Sequence, residues 1–121
     1  MVKPIPFEIY RQGTAPEPPG TLGVHGSKLW RDVVTENDIP DTARLTILEQ
    51  ACAAYERAEG LRKLIAVDGE LIESKAGGIK ANPLLMVEIT ARALCARLIG
   101  KLNLDNEPKR GPGRPPRKGG G

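Results

Sequence analysis

His25 is the single histidine of the chain, so a catalytic reading of the sequence begins there. An imidazole near neutrality suits proton transfer or zinc, but it needs a nucleophile, an orienting carboxylate or further ligands. None stands at a recognisable spacing from His25, which reads instead as a loop side chain open to water. The surrounding stretch, GTLGVHGSKLW, superficially suggests a phosphate loop. Its order is Gly26-Ser27-Lys28 rather than Gly-Lys-Ser/Thr, and no hydrophobic strand precedes it, so nucleotide binding is not expected. Two carboxylate pairs, Asp32/Glu36 and Glu56/Glu59, have the spacing of helical neighbours and could in principle hold a divalent ion. Such pairs are more often a solvated helix face. Cys52 and Cys95 stand far apart in apolar contexts and form no C-x-x-C, so buried free thiols are expected rather than a disulfide or a zinc site. The expectation is a non-enzyme that uses no cofactor and no metal.

Chemistry of another kind sits at the C-terminus, in the run KRGPGRPPRKGGG. Lys109, Arg110, Arg114, Arg117 and Lys118 are separated almost entirely by Pro and Gly, which cannot build a core and keep the chain extended. Residues 107–121 carry five basic side chains and one acid, a net +4, whereas the whole chain carries only +3. The body, residues 1–106, is therefore at −1. Cationic side chains on an extended segment suit phosphate contacts along a nucleic-acid backbone. Gly113-Arg114-Pro115 is also the core of a minor-groove hook, although Pro112 replaces the first Arg of a full one. With one Phe, one Trp and two Tyr, there is no aromatic platform for stacking single-stranded bases.

The elements that must carry such a tail are helical. Residues 1–25 hold Pro4, Pro6, Pro16, Pro18 and Pro19 with interspersed Gly, a composition that favours an extended arm; Phe7, Ile9 and Tyr10 within it need a surface to dock on. Ser27 is a candidate N-cap for a short helix over about 27–37, with Leu29, Trp30, Val33 and Val34 at helical spacing. Asp41 caps a long helix, roughly 40 Å at about 1.5 Å per residue. That helix has two apolar seams. One is Leu45, Leu48, Cys52 and Tyr55; the other is Ile47, Ala51, Ala54, Ala58, Leu61 and Ile65, whose alanines permit close approach of another helix. Gly60 permits a bend.

Turn dipeptides Asp68-Gly69 and Gly77-Gly78 bracket Glu70–Glu73 and Ile79–Lys80, which predicts a small β-hairpin. Asn82 caps a third helix with Pro83 in its first turn, running to about Leu102. The predicted fold is thus mainly α: short helix, long helix, hairpin and apolar third helix in residues 26–106, between the arm and the basic tail. Leu84, Val87, Ala91, Leu94 and Leu98 leave the third helix apolar over more than one face. Together with Ala51, Ala54 and Ala58 they form the expected surface of a homo-oligomer. The short helix, the Ile39-Pro40 turn and the long helix have the order of a helix-turn-helix, but the acidic start of the second helix favours a plain αα-corner. No apolar run is long enough for a signal peptide or a membrane span, so a soluble cytoplasmic protein is expected.

The order of these signals resembles the small terminase subunit of tailed double-stranded DNA bacteriophages. The resemblance rests on Leu22 with Gly26-x-x-Leu29-Trp30-Arg31, Asp41 with Leu45 and Leu48, Tyr55-Glu56-Arg57, the Gly69 turn, Lys80-Ala81-Asn82-Pro83, and Leu102-x-Leu104 before a Gly-Arg-Pro tail. It implies a ring that recognises the packaging site on viral DNA in the cytoplasm of the infected host. It further implies a partner, the large subunit holding ATPase and nuclease. Many such proteins carry an evident N-terminal helix-turn-helix; here a Pro-rich arm and one short helix stand in its place. The alternative from another class is a small DNA-binding regulator whose tail is a true groove hook and whose body dimerises.

Overall fold

In the computed structural model, which describes residues 15–104, three helices and a two-stranded hairpin follow one another along the chain. α1 is Val24–Glu36, α2 is Thr42–Asp68, β1 is Leu71–Glu73, β2 is Ile79–Ala81 and α3 is Leu84–Lys101. α2 and α3 form an antiparallel pair, joined at one end by the β-hairpin, and α1 packs against α2.

Gly26 and Trp30 determine how α1 seats. A Cβ on Gly26 would lie 2.8 Å from the carbonyl oxygen of Cys52, so only glycine lets this turn of α1 lie on the α2 backbone. The helix begins a turn earlier than Ser27 predicts. Gly23 is the N-cap residue and contributes no side chain, while Ser27 donates its N–H to the Gly23 carbonyl at 2.9 Å inside the helix. The cap comes instead from α2: the Gly26 N–H donates to Glu56 Oε1 at 2.6 Å. A carboxylate at a helix N-terminus satisfies an otherwise unpaired amide and complements the helix dipole. Trp30 and Val33 then join Ile39, Leu48, Cys52 and Leu102 in the core, with Leu22, Leu29, Leu45 and Ile99 packed around it. The end of the proline arm is fixed to this cluster, because Trp30 Nε1–H donates to the Pro16 carbonyl at 2.9 Å.

Asp41 caps α2 as its type predicts, accepting from Arg44 N–H at 2.9 Å. That hydrogen bond, followed by the one from the Arg44 side chain, holds the Asp41 carboxyl below its usual range. Gly60 does not interrupt the helix, which runs without a break over 27 residues. Its alanine seam lies inside the subunit: Ala51, Ala54 and Ala58 are 0, 1 and 0% exposed. These positions are filled within one chain and leave no area for a second copy. Close approach without large side chains lets the antiparallel pair form tightly.

Gly69, Gly77 and Gly78 all have positive φ, at 94°, 94° and 86°, a region that Gly enters without the Cβ clash other residues suffer. β1 pairs β2 antiparallel, Leu71 opposite Ala81 and Glu73 opposite Ile79. Asn82 closes the connection in both directions. Its Nδ2–H donates to the Gly69 carbonyl at 2.9 Å and its Oδ1 accepts from Leu84 N–H at 3.0 Å. It therefore caps α3 functionally, with Pro83 interposed.

A packed corner at the base of the basic tail

The corner where α1, the start of α2 and the end of α3 meet is the part of the described chain that lies next to the basic tail. Leu102 is fully buried among Trp30, Leu48 and Cys52, and Leu104 packs against the same cluster. Arg44 reaches across from α2: its Nε–H donates to Asp41 Oδ1 at 3.1 Å and its Nη1–H to the Leu102 carbonyl at 2.8 Å. A cationic donor on the last carbonyls of a helix satisfies groups that have no intrahelical partner. Residue 104, the last described, is thus held to the body. The five predicted DNA-contacting residues, Lys109, Arg110, Arg114, Arg117 and Lys118, lie outside the described residues, as do Phe7, Ile9 and Tyr10.

The same contacts bear on the helix-turn-helix question. A recognition helix needs free side chains in its first turns to read base edges. Here Asp41 occupies the cap and Arg44 is engaged by Asp41 and by the α3 terminus. The start of α2 is used to close a corner.

The other candidate chemistries are located as follows. His25 lines a shallow hollow of about 90 Å³ with Lys28, Leu29, Asp32 and Tyr55, whereas pockets that engulf small molecules run to roughly 300–1,000 Å³. Asp32 is paired with Lys28 at 2.7 Å rather than with Glu36, and this contact raises the Lys28 pKa. Glu56 caps α1. Glu59 accepts from Arg62 at 3.0 Å and from Arg92 at 2.9 Å, and Arg92 also pairs with Glu88 at 2.8 Å. The bonds from Arg92 and then Arg62 hold the Glu59 carboxyl below its ordinary range despite its burial. Each carboxylate of the two pairs considered for metal, apart from Glu36, is thus tied to a cation or a backbone amide. Among the described residues no group of three or more His, Cys, Asp or Glu converges to hold a metal ion.

Burial pushes the Cys52 thiol up to about 12, which suppresses the thiolate a nucleophile requires. Cys95 is only half-buried, a correction to the expectation for that residue, and burial raises its pKa too.

Of the third-helix positions predicted to bind a second copy, Ala91 is buried, Leu84, Leu94 and Leu98 are half-buried, and Val87 alone is exposed. Sequence reasoning expected the third helix to be apolar over more than one face and to form an oligomer surface; within one subunit one of those faces packs on α2. That reasoning missed Glu56 and Arg44 as tertiary contacts because their partners lie 30 and 58 residues away.

Over residues 26–114 the chain matches the family model described as phage terminase, small subunit, and it belongs to that family. No curated protein and no solved structure matches it. Membership puts the chain in phage DNA packaging.

Proposed function

We propose that this subunit is the non-catalytic, ring-forming component of a packaging motor. It contacts viral double-stranded DNA through the basic residues of its tail and recruits the large subunit that carries ATPase and nuclease activity. The observation that carries the DNA reading is charge placement: +4 in residues 107–121 beside a body at −1. The Arg44–Leu102 contact supports it by fixing the origin of that segment to the body. Several tails from one ring then act together, and multivalency turns weak phosphate contacts into useful avidity.

Deletion of Lys109–Gly121 tests the assignment. Each neutralised phosphate contributes about 0.9 to the slope of log affinity against log salt, so the deletion flattens the slope and weakens A·T-rich and G·C-rich duplexes alike, with assembly intact. Selective loss on A·T-rich DNA would favour a minor-groove hook with Arg114 inserted. An unchanged slope with lost association to the large subunit would make the tail a docking peptide and refute the DNA assignment.

A further inference from the structure

One face of α3 is left uncovered by the rest of the described chain. Met86, Ile89, Ala93, Ala96 and Gly100 recur along it at steps of three and four and are all exposed, Met86 at 66% and Ile89 at 58%. They lie opposite the Leu84–Ala91–Leu98 seam that faces α2. Thr90, Arg97 and Lys101, also exposed, border the stripe on one side. Its bulk falls from Met86 beside the hairpin to Gly100 in the last turn, where an added Cβ would meet nothing within 4 Å. No contact within the described chain accounts for glycine there. A continuous apolar strip on so small a body marks a contact surface.

The chain itself supplies a segment of matching chemistry. Of the two stretches outside the described residues, 105–121 holds no large apolar side chain, whereas 1–14 holds Val2, Ile5, Phe7, Ile9 and Tyr10. Ile5, Phe7 and Ile9 alternate, so in extended chain they share one face. The attachment point is equally suited. Pro16 is held to Trp30 at 2.9 Å, and Trp30 shares its cluster with Ile99, Leu102 and Leu104 at the C-terminal end of α3. Residues 1–14 are therefore tethered near the end of the stripe where Gly100 lies. Extended chain covers about 3.3 Å per residue, so Phe7 reaches up to about 30 Å from Pro16. From Gly100 to Met86 the helix rises only about 21 Å.

We infer that the occupant of this stripe is the chain's own N-terminal arm, with Ile5, Phe7 and Ile9 packed along the outer face of α3 in the direction from Gly100 to Met86. Ala93, Ala96 and Gly100 leave a shallow channel for the bulky side chains of the arm. Tethering gives the arm a local concentration of about millimolar, so a modest apolar contact keeps it seated. The inference goes beyond the packaging role and does not depend on the ring.

A short bismaleimide tests the seating on the full chain, with Cys95→Ala in every variant and Cys52 fully buried. In Glu8→Cys/Thr90→Cys the reagent joins the two cysteines within one chain: the protein stays monomeric on a denaturing gel and mass spectrometry finds the linked peptides. Adding Phe7→Asp lowers the linked fraction several-fold, because burying a charge on the stripe is unfavourable. An unchanged fraction would show proximity through the tether alone and overturn the packing. Linked dimers would put the arm on another copy and overturn the inference. Labelling of both cysteines without any link would overturn it too, leaving the stripe to a different occupant. Met86 gives a second reading, since the other methionine is Met1. Deletion of Met1–Thr14 speeds peroxide oxidation of Met86 several-fold with the helical signal intact; an unchanged rate contradicts the seating.

Discussion

Gly26 tolerates no side chain because α1 rests on the α2 backbone at that point. Adding one methyl places it 2.8 Å from the Cys52 carbonyl, closer than carbon and oxygen approach without displacement. Overpacking of this kind costs about 1–3 kcal/mol, so Gly26→Ala lowers the urea midpoint by a corresponding amount. Gly60→Ala, at an open helical position, raises or preserves the stability of the dissociated subunit. Equal stability of wild type and Gly26→Ala would contradict the seating described here. Glu59 gives a pH-dependent counterpart. Its folded-state pKa is depressed by Arg92 and Arg62, so its contribution is present above the ordinary glutamate value of 4.5 and is lost as pH falls through the lower folded value. Glu59→Gln therefore costs about 1 kcal/mol near neutrality, a modest figure because both arginines are partly exposed. The difference from wild type shrinks in acid. A gap that widens as pH falls would reverse the assigned sign.

At the scale of elements, the β-hairpin and α3 depend on one side chain. Asn82→Ala removes the donor to Gly69 and the acceptor for Leu84 N–H; a lost cap and a half-buried carbonyl left without its donor together cost roughly 2 kcal/mol. Hydrogen exchange then rises first at Leu84 and Leu85, whereas uniform exchange along the chain would show that Asn82 does not hold this junction.

The existence of each element was legible because it is encoded locally: Asp41 as a cap, Gly69, Gly77 and Gly78 as turn residues, Asn82-Pro83 as a helix start. α1 began earlier than Ser27 suggested because its cap, Glu56, belongs to another helix, and local sequence carries no trace of a partner 30 residues away. The alanine seam was legible as a close-approach surface, but periodicity does not say whether the approaching helix belongs to the same chain. Here α3 fills it. The outward stripe of α3 was masked by its small residues, which add little to any apolar count.

For the whole molecule, a packed helical body precedes, in sequence, a segment that carries +4 in residues 107–121. The body has no grouped metal ligands among its described residues and a hollow too small for a nucleotide. On the non-catalytic reading proposed above, purified subunit alone shows no ATP turnover and no magnesium-dependent DNA cleavage. Activity that co-purifies with wild type and disappears in His25→Ala or Asp32→Ala would refute the non-catalytic assignment.

The central claim is that these subunits close into a ring that gathers many basic tails, and native mass spectrometry of the full chain tests it most directly. The account predicts one dominant species of more than two subunits, of uniform mass, that persists when Lys109–Gly121 is deleted. A dimer as the largest species at micromolar concentration would contradict it and favour a small DNA-binding regulator.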